Sequence, residues 1–231
     1  MKVLVIIPSY NEEKNLPMLL DKLSHYNYDF LVINDCSTDD TVNVLKNNNV
    51  LFLDLPINLG IGGTVQTGYK YAYLHGYDVA VQVDGDGQHN PEYIQALIQG
   101  INEGADMVIG SRFLEYKGFQ SSASRRAGKS FLGFLIKLLS GVKVTDPTSG
   151  FRACNRKVLR IFAKSYPSDY PEPETIIQVA KRKYIIKEVP VIMNERSAGI
   201  SSIGIFKSFY YMVKVSLSII ISSFMIVEKK F

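Results

Sequence analysis

Short apolar runs alternate with amphipathic stretches along the first half of the chain. Residues 3–7 form a continuous, β-branched run, as a strand buried on both faces requires. Leu16, Leu19, Leu20 and Leu23 follow at helical spacing within 11–23. Further strands are expected at 30–33, 50–55, 79–83 and 107–109. Ser37 or Thr38 caps a helix that runs through Leu45. Another helix covers 62–74 with Val65, Tyr69 and Tyr73, and Pro91 opens one that reaches Ile101. Strands separated by helices imply parallel βαβ units with right-handed crossovers, hence an α/β fold with a mostly parallel sheet flanked by helices.

The pattern changes after Gly110. Residues 115–126 are polar and read as a mobile loop. An apolar helix is expected over 129–139, extended chain over 144–153, a helix over 174–183 and a strand over 185–193. No repeat or low-complexity linker interrupts this, so one domain is assigned to 1–204. The tail, 205–231, is apolar but carries Lys207, Tyr211, Lys214, Ser218 and Ser222 as one polar stripe on a helix. About 13 apolar residues after Lys214 reach roughly 20 Å, against a hydrocarbon core of roughly 30 Å. The expectation is an amphipathic helix lying in a membrane interface or packed on a partner helix. A span over 208–227 with a snorkelling Lys214, and a plain core helix, are the alternatives. Lys229 and Lys230 suit an anionic leaflet.

At 46% hydrophobic and 21% charged residues the composition is that of a globular protein. A net charge of +4 permits an anionic partner, yet no basic tract or recognition motif points to nucleic acid. Cys36 and Cys154 are far apart, which fits a reducing compartment. The opening residues read as a strand, not a signal peptide.

The chemistry concentrates where strands end. In an open parallel sheet, ligands bind outside the carboxyl ends of the strands. Three such segments are polar: 8–12, with Pro8, Tyr10 and Glu12; 34–39, with Asp35; and Asp84-Gly85-Asp86. The first two suit a nucleoside. The paired carboxylates are hard oxygen ligands that suit Mg2+ or Mn2+ bridging to a diphosphate. Taken alone, Asp-Gly-Asp-Gly also reads as a turn, and helix capping accounts for Ser9, Asn11, Ser37 and Asp39. The stretch Asn58-Leu59-Gly60-Ile61-Gly62-Gly63 fails as a dinucleotide fingerprint, because Val65 holds the third glycine position. It offers close backbone approach to a ligand around Gly60, or a tight helix entry.

The segments 5–12, 34–39, 58–60 and 84–92 resemble glycosyltransferase family 2. Gly110-Ser111-Arg112-Phe113, Arg125-Arg126, Asp146-Pro147-Thr148-Ser149-Gly150-Phe151-Arg152, and Arg196 before Gly199 and Ser201 are similar to its polyprenyl-phosphate branch, best known from the dolichyl-phosphate mannose synthases. The resemblance implies a GT-A fold, a nucleotide-sugar donor and a divalent metal. It implies that Asp84 approaches the donor, Asp86 and Gln88 hold the metal, Asp35 faces the base, and Arg112, Arg126 and Arg196 grip phosphate. Many relatives carry two acids where this chain has Asn34-Asp35.

A lipid phosphate is already anionic at neutral pH and needs no general base, unlike a hydroxyl acceptor. Arginine forks orient it and offset its repulsion from the donor. The expected activity is inverting transfer from a nucleotide sugar, with uridine favoured over guanosine, to undecaprenyl or dolichyl phosphate. It would act at the cytoplasmic membrane face, alone, as a homo-oligomer or with a small membrane-protein partner. Asp146 is then structural or orients Arg126. Under the rival reading, transfer to a saccharide hydroxyl, Asp146 is the base. Processive synthases are disfavoured because the chain has no tryptophan. A nucleotidylyltransferase would carry its glycine loop after the first strand, where this chain has Pro8-Ser9-Tyr10-Asn11. A non-catalytic nucleotide-sugar scaffold is the remaining class. His89 is the one histidine beside the carboxylate loop.

Overall fold

The computed structural model describes residues 1–115, 123–194 and 205–224, without the side chains of 123–127 and 205–209. Its seven strands are β1 (Val3–Ser9), β2 (Asp29–Asn34), β3 (Phe52–Asp54), β4 (Val79–Gln82), β5 (Met107–Ser111), β6 (Arg152–Asn155) and β7 (Ile186–Pro190). They form one sheet in the order β3-β2-β1-β4-β6-β5-β7. All neighbours run parallel except β6, which is antiparallel to both β4 and β5. The expected mostly parallel sheet is therefore mixed at one place, and that place matters for the site.

Every residue of β1 is buried, as its unbroken apolar run predicts for a central strand covered on both sides. Its side chains alternate between two cores. Leu4 and Ile6 meet α3 (Gly60–Leu74) and α6 (Arg156–Lys164) in one, which continues into α5 (Ala123–Ser140), α7 (Pro171–Lys181) and α8 (Ile205–Phe224). Val3, Val5 and Ile7 face the other, with α1 (Leu16–Ser24), α2 (Thr41–Asn47) and α4 (Ile94–Asn102). Helix α3 crosses β1 so closely that a Cβ on Gly68 would lie 2.3 Å from Ile6 Cγ2.

Several boundaries differ from expectation. The first helix begins at Leu16, because 11–15 form a turn stitched to the second strand's loop. Of the extended stretch 144–153, only its end is strand; the rest is the loop entering β6. Helix α6 was not anticipated. Asn155 caps it, accepting from Lys157 N and Val158 N, and Val158, Leu159 and Phe162 bury one face. Helix α5 starts six residues before the expected 129, within the stretch read as a loop.

Helix α8 lies on α7 and α5. Three residues of its polar stripe meet the domain: Lys214 pairs with Asp169 at 2.5 Å at the solvent-exposed margin, Ser218 donates to Glu174, and Ser222 is buried. Lys181 caps the helix end by donating to Ser223 O at 2.5 Å. The outward face is apolar, with Leu217 53% and Phe224 78% exposed. Helix α5 presents Phe131, Phe134 and Leu138 outward beside it. Among the described residues, no helix is long and apolar enough to cross a membrane.

Candidate active site

The three polar segments do converge. Strands β2, β1 and β4 are neighbours, so their carboxyl ends share one edge of the sheet. Ser9 O accepts from Asp35 N at 2.9 Å, and Pro8 O accepts from Gly85 N at 3.2 Å. Asn11 N donates to Ser37 Oγ at 2.9 Å, and Asn11 Oδ1 accepts from Thr38 N at 2.8 Å. Asn11 and Cys36 take left-handed backbone, φ +56° and +58°, which turns both loops over the edge.

Each predicted donor-side residue has a definite place in this edge. Tyr10 is exposed beside it. Glu12 accepts from Asn15 Nδ2 at 2.6 Å, bracing the loop before α1. Asp35 is buried, and its carboxylate accepts from Leu59 N at 2.7 Å and Gly60 N at 3.0 Å. It thus holds the glycine-rich entry to α3, where Gly60 has φ +72° in open space. The glycine there answers a backbone conformation, not a steric limit.

Asp84 is held on two sides. Gln82 Nε2 donates to its Oδ1 at 2.9 Å, and its own backbone N–H donates to His89 Nδ1 at 3.0 Å. That bond leaves the His89 proton on Nε2, which lies 3.7 Å from Asp84 Oδ2. The imidazole stacks on Phe151, ring centroids 4.8 Å apart. Asp86 is buried and accepts from Gln88 N at 3.0 Å. Room is kept around the carboxylates: a Cβ on Gly150 would lie 2.9 Å from Gln82 Nε2 and 3.3 Å from Asp84 Oδ2. A Cβ on Gly85 would lie 2.5 Å from Ser9 Oγ, a buried hydroxyl without a partner among the described residues.

These residues fit a divalent cation. Asp84, Asp86 and Gln88 offer hard oxygens, and Gly150 leaves the space beside Asp84 clear. Among the described residues, no three His, Cys, Asp or Glu side chains cluster as a closed metal site.

The second half of the site enters through β6. Because that strand is antiparallel, its entry loop, 145–151, reaches the same edge where β4 and β5 end. Arg112, just past β5, grips Asp146 with a fork: Nε to Oδ2 at 2.6 Å and Nη2 to Oδ1 at 2.8 Å. Nη2 also reaches Thr148 Oγ1 at 3.3 Å. Burial alone would raise the Asp146 pKa, but the Arg112 bonds and charge, with Lys129, hold it below the usual carboxylate value. Asp146 is forked by Arg112; the expectation that it orients Arg126 falls on a side chain outside the described residues. The side chain of Arg126, and all of Arg196, lie outside the described residues.

Four residues were not singled out as site residues beforehand. Gln82 and His89 fix Asp84. Fully buried Arg152 donates to Ser149 O at 2.6 Å and Pro147 O at 3.1 Å, and to Glu172 O at the start of α7. Glu188 of β7 accepts from Thr145 N at 2.8 Å and Asp146 N at 2.9 Å. A lone acid inside a strand was the available signal for Glu188. Glu172 itself has a raised pKa. Burial is the main cause and the charge of Asp84 adds to it, while Arg152 and Arg112 oppose it.

Comparison with known proteins bears on this geometry. The family description "Glycosyl transferase family 2" matches residues 4–162. The chain is 33% identical to a UDP-N-acetylglucosamine–dolichyl-phosphate N-acetylglucosaminyltransferase of Methanococcus voltae, over 93% of this chain and 96% of that protein. It is 33% identical to an undecaprenyl-phosphate mannosyltransferase of Micrococcus luteus, over 88% of each. Among solved structures, glucosyl-3-phosphoglycerate synthase of Mycobacterium tuberculosis, crystallised with Mn2+, uridine diphosphate and phosphoglyceric acid, superposes with a TM-score of 0.73. The identity is 19%, over 98% of this chain and 80% of that one. The fold is thus GT-A-like: a mixed sheet flanked by helices.

Proposed function

Because the chain belongs to glycosyl transferase family 2 and is a glycosyltransferase, we propose that it moves a sugar from a nucleotide diphosphate to a polyprenyl phosphate, inverting the anomeric centre. The observation that carries this reading is the Arg112–Asp146 fork, which stands across the β6 entry loop from Asp84 at one sheet edge. A guanidinium already squared on a carboxylate presents its charge in a fixed direction, as phosphate recognition requires.

A lipid phosphate oxygen attacks the anomeric carbon opposite the leaving group. The bond from that carbon to the diphosphate oxygen breaks, and its electron pair departs with the nucleoside diphosphate. No proton is transferred. Asp84, fixed by Gln82 and His89, orients the sugar nucleotide. Asp86 and Gln88 would hold Mg2+ or Mn2+, which when bound offsets charge on the diphosphate. Arg112 receives the incoming phosphate and lowers its repulsion from the donor. Tyr10 and the loop that Asp35 ties down flank the base. A uridine nucleotide is favoured, since the Methanococcus voltae relative takes a UDP-sugar and the solved neighbour held uridine diphosphate.

The polarity of α8 supports a bilayer as the place of reaction. Its polar side meets Glu174 of α7 and Asp169 just before it, and its apolar side joins the outward face of α5. Lys137 on α5 and Lys143 just beyond it are exposed, matching an anionic leaflet. Helix α5 also carries Lys129, whose charge reaches Asp146 in the site.

A saccharide hydroxyl acceptor is the second reading. It needs a base, and Asp146 is a poor one, because Arg112 occupies both its oxygens and holds its pKa down. Mass spectrometry of reactions with a nucleotide-sugar panel, Mn2+, and either undecaprenyl phosphate or saccharides separates the two. Transfer only to saccharides would overturn the proposal, as would a product whose proton NMR shows retained anomeric configuration.

A further inference from the structure

We propose that Glu188 is a positioning residue for the acceptor phosphate, acting through the 145–149 loop and Asp146 on Arg112. This rests on the reading of the acceptor given above. Glu188 lies in β7, in register with Ile109 of β5, three residues before Arg112. Its two oxygens take two successive backbone donors, Thr145 N on Oε2 at 2.8 Å and Asp146 N on Oε1 at 2.9 Å. Thr145 Oγ1 lies 3.0 Å from both oxygens and 2.7 Å from Ser111 Oγ.

Two successive N–H groups on one carboxylate fix the peptide plane from which the Asp146 side chain departs. Arg152 works on the loop's other polarity, taking the carbonyls of Pro147 and Ser149. An acid thus holds the amides, and a guanidinium holds the carbonyls. The 144–145, 145–146, 147–148 and 149–150 peptides each carry a charge-assisted bond to one of these two side chains. Asp146 is presented to Arg112 by this clamp. The donor side has fastenings of its own, through Gln82 and His89 at Asp84 and through Leu59 N and Gly60 N at Asp35, and it meets this loop beyond Ser149, where Gly150 and Phe151 pack on Asp84 and His89.

Glu188→Gln tests the idea. The variant is isosteric, but its amide nitrogen cannot accept, so it sets a donor against a backbone N–H. The assay uses the full chain, farnesyl monophosphate in detergent as acceptor, and the nucleotide sugar that the wild type turns over. KM for farnesyl phosphate should rise about tenfold, because a small misplacement of a binding group is costly. Affinity for uridine diphosphate with Mn2+, measured by calorimetry, should stay within about twofold, since its contacts are fastened elsewhere. In an Arg112→Lys background, which abolishes the fork, Glu188→Gln should add less than about twofold, the non-additivity of residues acting in series. An unchanged acceptor KM, equal loss on both substrates, or full additivity with Arg112→Lys would overturn the proposal. If Glu188→Gln fails to fold, Thr145→Val keeps both backbone bonds and removes only the hydroxyl. It should raise the acceptor KM by a smaller factor, and no change there would count equally against the idea. A wild type that glycosylates saccharides but not farnesyl or undecaprenyl phosphate fails the acceptor reading itself, and this inference with it. A wild type active on the lipid phosphate beside an indifferent Glu188→Gln fails this inference alone.

Discussion

Arg112 Nε and Nη2 stand 2.6 Å and 2.8 Å from the two oxygens of Asp146, a fully buried carboxylate. Arg112 follows β5 and Asp146 lies in the loop entering β6, thirty-four residues apart in sequence. Breaking it from one side strands the other charge, at a cost of about 3 kcal/mol for a buried pair. Asp146→Asn should therefore lower both stability and acceptor use. Calorimetric melting and acceptor kinetics check this together.

The same pair sets a pH dependence. Burial works against the Asp146 charge, but Arg112 outweighs it, so the folded pKa lies below the ordinary 3.8. A depressed carboxylate pKa contributes stability that is present above the unfolded value and lost as pH falls through the folded one. The difference in melting temperature between wild type and Asp146→Asn should stay level from pH 8 to about pH 5 and narrow below about pH 4. A difference that instead widens on acidification would contradict the assignment.

Asp86→Ala should reduce metal-dependent transfer by roughly a thousandfold, because charge on the departing diphosphate would go uncompensated. Titration of activity with Mn2+ is the measurement. Undiminished turnover removes Asp86 from the site.

Gly150→Ala places a methyl 2.9 Å from Gln82 Nε2 and 3.3 Å from Asp84 Oδ2. The side chains must shift by a few tenths of an ångström, which moves Asp84. Donor kcat/KM should fall about tenfold while the fold is kept. A variant with normal donor kinetics would show that Asp84 tolerates the displacement.

The exposed side of α8 can be tested without touching the site. Leu217→Glu with Phe224→Glu should cut co-sedimentation with phosphatidylglycerol vesicles by about tenfold or more, since each apolar side chain withdrawn from the interface costs about 1–2 kcal/mol. Turnover of farnesyl phosphate in detergent should be unchanged. Vesicle binding equal to wild type would take the bilayer away from this face.

The legible part of the site was the edge proposed to take the donor. Pro8, Asp35 and Asp84 each follow a short apolar strand, and parallel neighbours put such ends on one edge, so segments far apart in sequence met as expected. The part proposed to meet the acceptor was legible as residue types only. Arg112 and Asp146 were both named, but their pairing was not, because it depends on β6 running against its neighbours. Nothing in four apolar and polar residues states a strand's direction. Likewise the stripe of Lys214, Ser218 and Ser222 was visible, but not that it turns inward, since periodicity reports a face and not what covers it.

Periodicity and strand-end chemistry are local properties. The sequence by itself therefore determined the alternating α/β order, the central buried strand, the carboxylate loop and the amphipathic tail. Partners contributed from distant segments are set by packing. Only the tertiary structure decided that Arg112 forks onto Asp146, that Glu188 and Arg152 hold the loop between them, and that α8 shows its apolar side outward. Those contacts join residues whose separation along the chain carries no signal of their meeting, and the meeting exists only once the sheet order brings β5, β6 and β7 side by side.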